Sequence, residues 1–450
     1  MKYLFFSKHG DSAGVAHRVQ QEGNDVWLYI PESWAKPTLE GIVPQVKSVS
    51  EGLSKKPDVV FFDMVGSGPI ATRIQRLGYN VIGSGATFKG RPFQDDMELD
   101  RDFGMDLMEA AGIAVPKTEE FKGSEIDKAI AYAKASKMRL VAKPNGNKNA
   151  YMTHVAENEE DMTGHLQYMK ENKLVTAGED FILQEFVDGV EISTEMWFTK
   201  GKPIFPSNGT METKKFLVGD LGPNTGCQTS LVWFYEKKEP KIVQQTLKKM
   251  FTILEKLEYT GPLDLNCIVS RNDHKPYGIE WTARPGYSAI YAMIRLLDVD
   301  KYDLGKHLHW IATGELLEWY HKIGFGYSLR VSIPPYPLCI PDEKQRQEWL
   351  AETAGHRLDY KGKTECFFPL DLKASKDGND DMVTAGVDGV VCELAGYGAT
   401  VEDAKNEAHA KLKKLYIPEK QARLDGWKRP LKDLPQLKAW GFEVPDAGTK

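Results

Sequence analysis

The chain has 450 residues, 41% of them hydrophobic and 27% charged, enough for about two to four domains with cores of their own. A formal net charge of -6 argues against a broad polyanion-binding surface but leaves room for a local basic cleft suited to a small anion, so no nucleic-acid polymer is expected as a partner. The cysteines, at 227, 267, 339, 366 and 392, form no C-x-x-C pair, which points away from a zinc cage or a disulfide framework. The N-terminal MKYLFFSKHGDS has an apolar run too short for a signal peptide or membrane span, and the expectation is a cytoplasmic protein without a membrane partner.

In chain order, the apolar runs YLFF, DVWLYI, PDVVFFDMVG and NVIGSG alternate with helical patterns, which predicts a doubly wound parallel sheet over residues 1–97. The first turn, with Gly10, Ser12 and Gly14 ahead of a helix, reads either as an amide cradle for a phosphate or as a plain strand-to-helix turn. A helix over 97–115 follows, ending at the glycine of AAGIAVP, with Arg101 near its start. RLVAKPNGNKNAYMTHVA then reads as a buried strand carrying Lys143, a loop with Asn145, Gly146 and Lys148, and a second strand, an arrangement suited to gripping phosphate. DFILQEFVDGVEISTEMWF reads as strand, tight turn and strand, with Glu185 and Glu191 bracketing the turn.

Residues 209–229, GTMETKKFLVGDLGPNTGCQT, have no useful periodicity and are expected to form a long functional loop or flap, in which Lys214 and Lys215 offer charge and GPNTG offers bare amides to an anion. A helix over 241–256 leads to GPLDLNCIVSRNDHKPYGIEWTARPG, two strands around a polar turn. There Asp264 and Asn266 share a face, and a paired strand brings Glu280 beside them, a set of oxygens suited to a hard divalent cation or, in the plainer reading, a wet strand face. Beyond Phe325, short glycine-rich strands and an amphipathic helix N-capped by Thr400 predict an α+β unit over 327–427, and the charged, proline-containing 428–450 reads as a surface strap.

These stretches together resemble the phosphoribosylamine-glycine ligase family of the ATP-grasp superfamily. GDLGPNTG (219–226) is similar to the family's substrate loop, ILQEFVDGVEIS to its adenine hinge, YTGPLDLNCIV with YGIEWTARPG to its metal-binding strands, and VGSGPIATRIQRLGYNVIGSG and GVVCELAGYGATVEDA to its terminal domains. The resemblance implies an α/β and α+β multidomain architecture: an N-terminal substrate domain (1–97), an ATP-grasp domain (98–326, lid roughly 118–190) and a C-terminal domain (327–427) closing over the site. It implies ATP with Mg2+ or Mn2+ as cofactors, and an amino acid carboxylate and an amine, glycine and phosphoribosylamine in the family, as substrates of a monomer or homodimer. In site terms, Arg101 and Lys143 would hold phosphates, the hinge Gln184, Glu185, Phe186 and Val187 would meet adenine, and Glu191 would meet ribose. Glu280 would bind the metal with Asp264 or Asn266 and Thr282, while Arg284, Lys214 and Asn224 would face the carboxylate or acyl phosphate.

The chain departs from the family pattern at Thr282, where an asparagine is usual, in PGYSAIY after Arg284, and in the turn SKHGDSAG, which lacks an Arg-Glu-His start. The alternatives are an ATP-grasp ligase joining a different acid and amine, as in nucleotide or nucleobase modification, and a nucleotide-binding regulator without turnover.

Overall fold

Runs of apolar residues buried on both faces make parallel strands covered by helices. The computed structural model describes residues 1–144, 153–176, 179–297, 303–337, 343–376 and 381–448. At the N-terminus β1 (Lys2–Phe6), β2 (Asp25–Tyr29), β3 (Val59–Phe62) and β4 (Val81–Ile82) form a parallel sheet in the order β2-β1-β3-β4. Tyr3, Phe5, Val59 and Phe61 join one core while Leu4, Phe6, Val60 and Phe62 join another, the two sides of a doubly wound sheet.

A second, antiparallel sheet, β5 (Thr118–Lys122), β6 (Leu140–Pro144), β7 (His154–Val155) and β8 (Asp180–Glu185), runs in the order β5-β8-β6-β7 and carries the helices Ile126–Ala135 and Glu159–Glu171. Phe121, Ala129, Leu140, Leu166, Phe181 and Leu183 give it a separate small core. The expected loop residues Asn145, Gly146 and Lys148 lie outside the described residues.

The largest element is a nine-stranded sheet. It contains β9 (Gly189–Thr199), β10 (Lys202–Pro203), β11 (Asn208–Leu217), β12 (Leu221–Phe234), β13 (Gly261–Ser270), β14 (Pro276–Thr282), β15 (Phe325–Ser332), β17 (Phe367–Pro369) and β20 (Val390–Gly398), in the order β14-β13-β9-β11-β12-β15-β20-β17, with β10 beside β9. A last small sheet joins β16 (Arg357–Tyr360), β18 (Leu372–Ala374), β19 (Met382–Thr384) and β21 (Leu415–Tyr416).

Several expectations change. The stretch 209–229 is not a loop: it supplies most of the long hairpin β11-β12, in which Thr210, Met211, Glu212 and Thr213 pair with Val232, Leu231, Ser230 and Thr229 while the arm near Gly219 and Gly222 is exposed and irregular. The helix expected over 97–115 is two helices, Phe93–Leu99 and Arg101–Ala110, because Asp100 turns to cap the second one through the Phe103 amide at 3.1 Å. That over 241–256 breaks at Thr246, whose φ of -128° is not helical. The strands β15, β17 and β20, read as part of a separate unit, extend the long sheet through β12. Finally, the expected surface strap contains the helix Lys428–Ala439, with Leu434 and Leu437 fully buried and Phe442 and Val444 nearly so. Its leucines recur at a helical interval, which the surrounding lysines and Pro435 obscure.

Candidate active site

One face of the long sheet is polar. Side chains two apart share a face: β9 gives Glu191, Ser193 and Glu195, β11 gives Thr210, Glu212 and Lys214, β13 gives Asp264 and Asn266, and β14 gives Glu280 and Thr282. The register sets Glu280 opposite Asn266, which faces Ser193, and Thr282 opposite Asp264, which faces Glu195.

At one end of this face the charges alternate. Lys214 Nζ lies 3.4 Å from Glu191 and 3.9 Å from Glu280, and Arg101 Nη2 lies 3.5 Å from Glu280. Burial would raise the Glu280 carboxyl, but Lys214, Arg101 and Lys143 together hold it down at about 2. Burial and then the Arg101 charge push the Lys143 amine down to about 7. Lys214 goes the other way: burial opposes its charge, and Glu191, Glu280 and Glu212 more than restore it. Lys143 Nζ donates to Gln184 Oε1 at 2.8 Å, and the Gln184 amide donates to Thr118 Oγ1 at 3.0 Å, so the hinge and the lysine strand are tied together.

At the other end the carboxylates lack cations. Burial pushes Glu195 up to about 7 although Trp197 Nε1 donates to it at 2.9 Å. Burial, then Glu195 and Glu212, raise Asp264 well above its ordinary range, and its Oδ1 is buried without a partner. Asn266 bridges the two ends: its Oδ1 accepts from Ser193 at 2.8 Å, and its Nδ2 donates to Asp264 at 3.3 Å and Thr282 Oγ1 at 3.2 Å. Among the described residues no group of three or more His, Cys, Asp or Glu has the arrangement of a metal cage. The donor set is instead mixed, two carboxylates with amide and hydroxyl oxygens, and the orphaned Asp264 oxygen fits a hard cation that takes its remaining ligands from phosphate.

The hinge residues sit at the end of β8. Their amides are partly spent: Glu185 N donates to Lys117 O and Phe186 N to Arg139 O, both at 2.8 Å, while the Val187 amide makes no hydrogen bond among the described residues. The Phe186 ring is covered by the Arg139 guanidinium at 3.9 Å. Arg284 is nearly buried, donates to Glu98 at 3.0 Å and lies 3.9 Å over the Tyr287 ring. Asn224 is exposed on the hairpin arm, and no hydrogen bond among the described residues joins it to Arg284 or Lys214; its neighbour Thr225 donates to Lys214 O at 2.8 Å.

The first turn answers the question left open by its glycines. Its amides face a carboxylate: Asp63 accepts from Ser12 N at 2.8 Å, Lys8 N at 3.4 Å and the Ser7 hydroxyl, in the place where a phosphate would sit. Burial, then the nearby Asp11, raise Asp63 to about 6. Beside this turn a cavity of about 260 Å³ is lined by His9, Asp11, Tyr287, Arg330, Asp371 and Asp388. Arg330 is committed to Glu393 at 2.9 Å.

Glu98, Glu195, Glu212, Arg330, Arg423 and Arg429 were not singled out by the sequence. The alternation in TMETK and EISTE, read at period two, marks Glu212 and Glu195; nothing in the local pattern marks the two tail arginines.

An N-terminal doubly wound sheet, a small antiparallel sheet over a long one, and a cleft of lysine, arginine and glutamate between them define an ATP-grasp protein. Residues 99–288 match the family described as Phosphoribosylglycinamide synthetase, ATP-grasp (A) domain. Phosphoribosylamine–glycine ligase of Leptospira interrogans is 25% identical over 395 residues, 84% of this chain and 85% of that protein. The enzyme of the same name from Salmonella typhimurium is 23% identical over 451 residues, 95% and 98% of the two chains. Among solved structures, phosphoribosylamine–glycine ligase of Thermotoga maritima superposes with a TM-score of 0.65 at 18% identity, covering 94% of this chain and 99% of that one. N5-carboxyaminoimidazole synthetase of Staphylococcus aureus shares the fold at a TM-score of 0.54 and 13% identity, over 92% and 97% of the chains. Residues 99–288 thus match an ATP-grasp domain of the phosphoribosylglycinamide synthetase type, and the chain is similar to phosphoribosylamine–glycine ligases over most of its length.

Proposed function

We propose that this protein is an ATP-dependent carboxylate–amine ligase that forms an amide through an acyl phosphate, releasing ADP and phosphate. The observation that carries the reading is the convergence of Arg101, Lys143, Lys214 and Glu280 from four separate elements on one end of the polar face. Phosphoryl transfer needs positioning and neutralisation of spreading negative charge more than it needs a protein nucleophile. Lys143 and Arg101 hold phosphate oxygens, the Val187 backbone meets the base, and Glu191 orients the ribose. Glu280, with Asp264 or Asn266, would hold Mg2+ or Mn2+, which would supply charge neutralisation at the phosphates. Arg284, locked by Glu98, and Lys214 orient the acid; the β11-β12 hairpin, with Asn224 on its arm, covers the reacting groups and excludes water.

Glycine and phosphoribosylamine are the first acid and amine to test. A second reading of the amine is favoured by the first turn: Asp63 occupies its amides and Asp11 lines the adjoining cavity, which suits an uncharged or cationic amine better than one carrying a phosphate. ADP release measured across acid and amine panels separates these. ADP formation that requires both glycine and phosphoribosylamine supports the first, and ADP formation with phosphate-free amines alone supports the second. Tight ATP binding without ADP formation under any pair would leave a regulator and sink the ligase.

A further inference from the structure

The C-terminal stretch touches the site at two places. Arg423, almost fully buried, reaches the hairpin: its Nη1 donates to Lys215 O at 2.8 Å, its Nη2 to Asp220 at 2.7 Å and its Nε to Asp425 at 2.8 Å. Asp425 in turn accepts from the Gly219 amide at 2.9 Å. The hairpin end they hold is a strained turn in which Gly219 and the non-glycine Asp220 both take positive φ, 73° and 59°, so an external clamp has something to hold. Gly426 lies flat against the hairpin: a Cβ there would stand 2.2 Å from Thr229 Oγ1 and 2.9 Å from Thr213 Oγ1.

Three residues further on, at the start of the helix Lys428–Ala439, Arg429 Nη2 donates to the Glu191 carbonyl at 3.2 Å and Nη1 to its carboxylate at 3.4 Å, while Nε is oriented by Asp433 at 3.0 Å. The helix that carries Arg429 is fixed by Leu434 and Leu437, both fully buried. Arg423, Arg429, Val187, Glu191 and Thr213 thus line one cleft of about 620 Å³, hinge on one side and tail on the other.

We infer that the C-terminal segment is a working wall of the nucleotide and substrate cleft, with Arg429 positioning the Glu191 carboxylate for the nucleotide and Arg423 positioning the hairpin that carries Lys214. The inference rests on the proposed ATP chemistry for its Arg429 half. Glu191 is shared between Lys214 and Arg429; without Arg429 it swings toward Lys214, and the ribose loses a fixed acceptor. Without Arg423 the Asp220 turn is released and Lys214 loses its fixed height over Glu280. The two arginines therefore affect different substrates.

The test uses the full chain with R429Q, R429K, R423Q and R423K, each checked for an unchanged circular dichroism spectrum. ATP binding is read by calorimetry without acid or amine, and the hairpin is read by the rate of trypsin cleavage after Lys214 and Lys215; neither readout needs turnover, so a failure of ligation and a failure of this inference are told apart. R429Q is expected to weaken ATP binding about tenfold, the effect of losing a charge-assisted contact, with partial recovery in R429K and an unchanged trypsin rate. R423Q is expected to leave ATP binding unchanged and to speed cleavage at the hairpin by about tenfold, and R423K, which cannot fork to two acceptors, to recover little. ATP affinity and cleavage rate within twofold of the parent in all four variants, even with a lowered Tm, would overturn the inference and leave the segment a structural strap.

Discussion

The two ends of the polar face are built from the same strands and the same residue types, yet their carboxylates behave in opposite ways. At one end Glu280 is held at about 2 and Glu191 below its ordinary range; at the other Glu195 rises to about 7 and Asp264 is raised well above its ordinary range. Burial acts on all four in the same direction. What differs is the supply of cations, and those come from outside the carboxylates' own strands: Arg101 from a helix start, Lys143 from the small sheet, Lys214 from the hairpin and Arg429 from the tail. The sheet supplies a row of oxygens, and the elements packed over it decide which of them are charged and therefore useful to a phosphate-transferring site.

The largest expected effect comes from removing the acid at the centre of the cationic end. Glu280→Gln should lower the ADP-forming rate by about 10²- to 10³-fold, the usual scale for losing one preorganised electrostatic group, with little change in the unfolding midpoint. A variant that retains full turnover would take the hairpin β13-β14 out of the mechanism and reduce this end to an ordinary ion-pair cluster.

Next comes Lys143. Burial and Arg101 depress its amine to about 7 in the free protein, so it is charged below that pH and neutral above it. ATP affinity in the absence of acid and amine should therefore fall as pH rises from 6 to 8, and Lys143→Met should weaken binding by about ten- to a hundredfold at pH 6 and flatten that dependence. Equal affinity in parent and variant at both pH values would show the lysine to be tied only to Gln184.

How much of this contrast was legible beforehand depends on the length of the pattern. The strand positions of Asp264, Asn266 and Glu280 stood out because each lies in a clean apolar run, and the structure sets them side by side. Lys143 and Arg101 were visible as isolated charges at element ends. Glu212 is hidden because the glycines of GDLGPNTG mask the period of 209–229, although TMETK just before them alternates like any strand. Arg423 and Arg429 were not visible at all: their partners Asp220 and Glu191 are more than 200 residues away, and no local period encodes such a pairing. The first turn was ambiguous for a similar reason, since Asp63, which fills it, belongs to the next strand but one in sequence.

The uncompensated end gives a prediction in stability rather than turnover. Glu195 has a folded pKa of about 7 against an ordinary value of 4.5, so between these values the folded state holds the proton more tightly than the unfolded chain. Stability should then fall as pH rises from 4.5 to 7 and stay lower above it, by about 3 kcal/mol at most from this residue, at 1.36 kcal/mol for each pH unit. Glu195→Gln keeps an acceptor for Trp197 and removes the titration. Its unfolding midpoint should match the parent near pH 4.5 and exceed it at pH 8; a parallel pH profile in the two proteins would mean that a cation or water already compensates this carboxylate.

The smallest effect is expected where the two ends meet. Thr282 stands opposite Asp264, and its hydroxyl accepts from the Asn266 amide, so it holds Asn266 in an orientation that leaves the Asn266 oxygen to Ser193. An asparagine at 282 can accept the same hydrogen bond through its amide oxygen and also offers a stronger oxygen to a hard cation than a hydroxyl does. Thr282→Asn should therefore keep ADP formation within about threefold of the parent, roughly 0.7 kcal/mol in barrier, and lower the Mg2+ concentration needed for half-maximal rate. A folded but inactive T282N would separate the two roles of this position: it would mean that the small hydroxyl, by fixing Asn266 between the cation-paired and the unpaired carboxylates, matters more to the site than any oxygen that residue 282 lends to a metal.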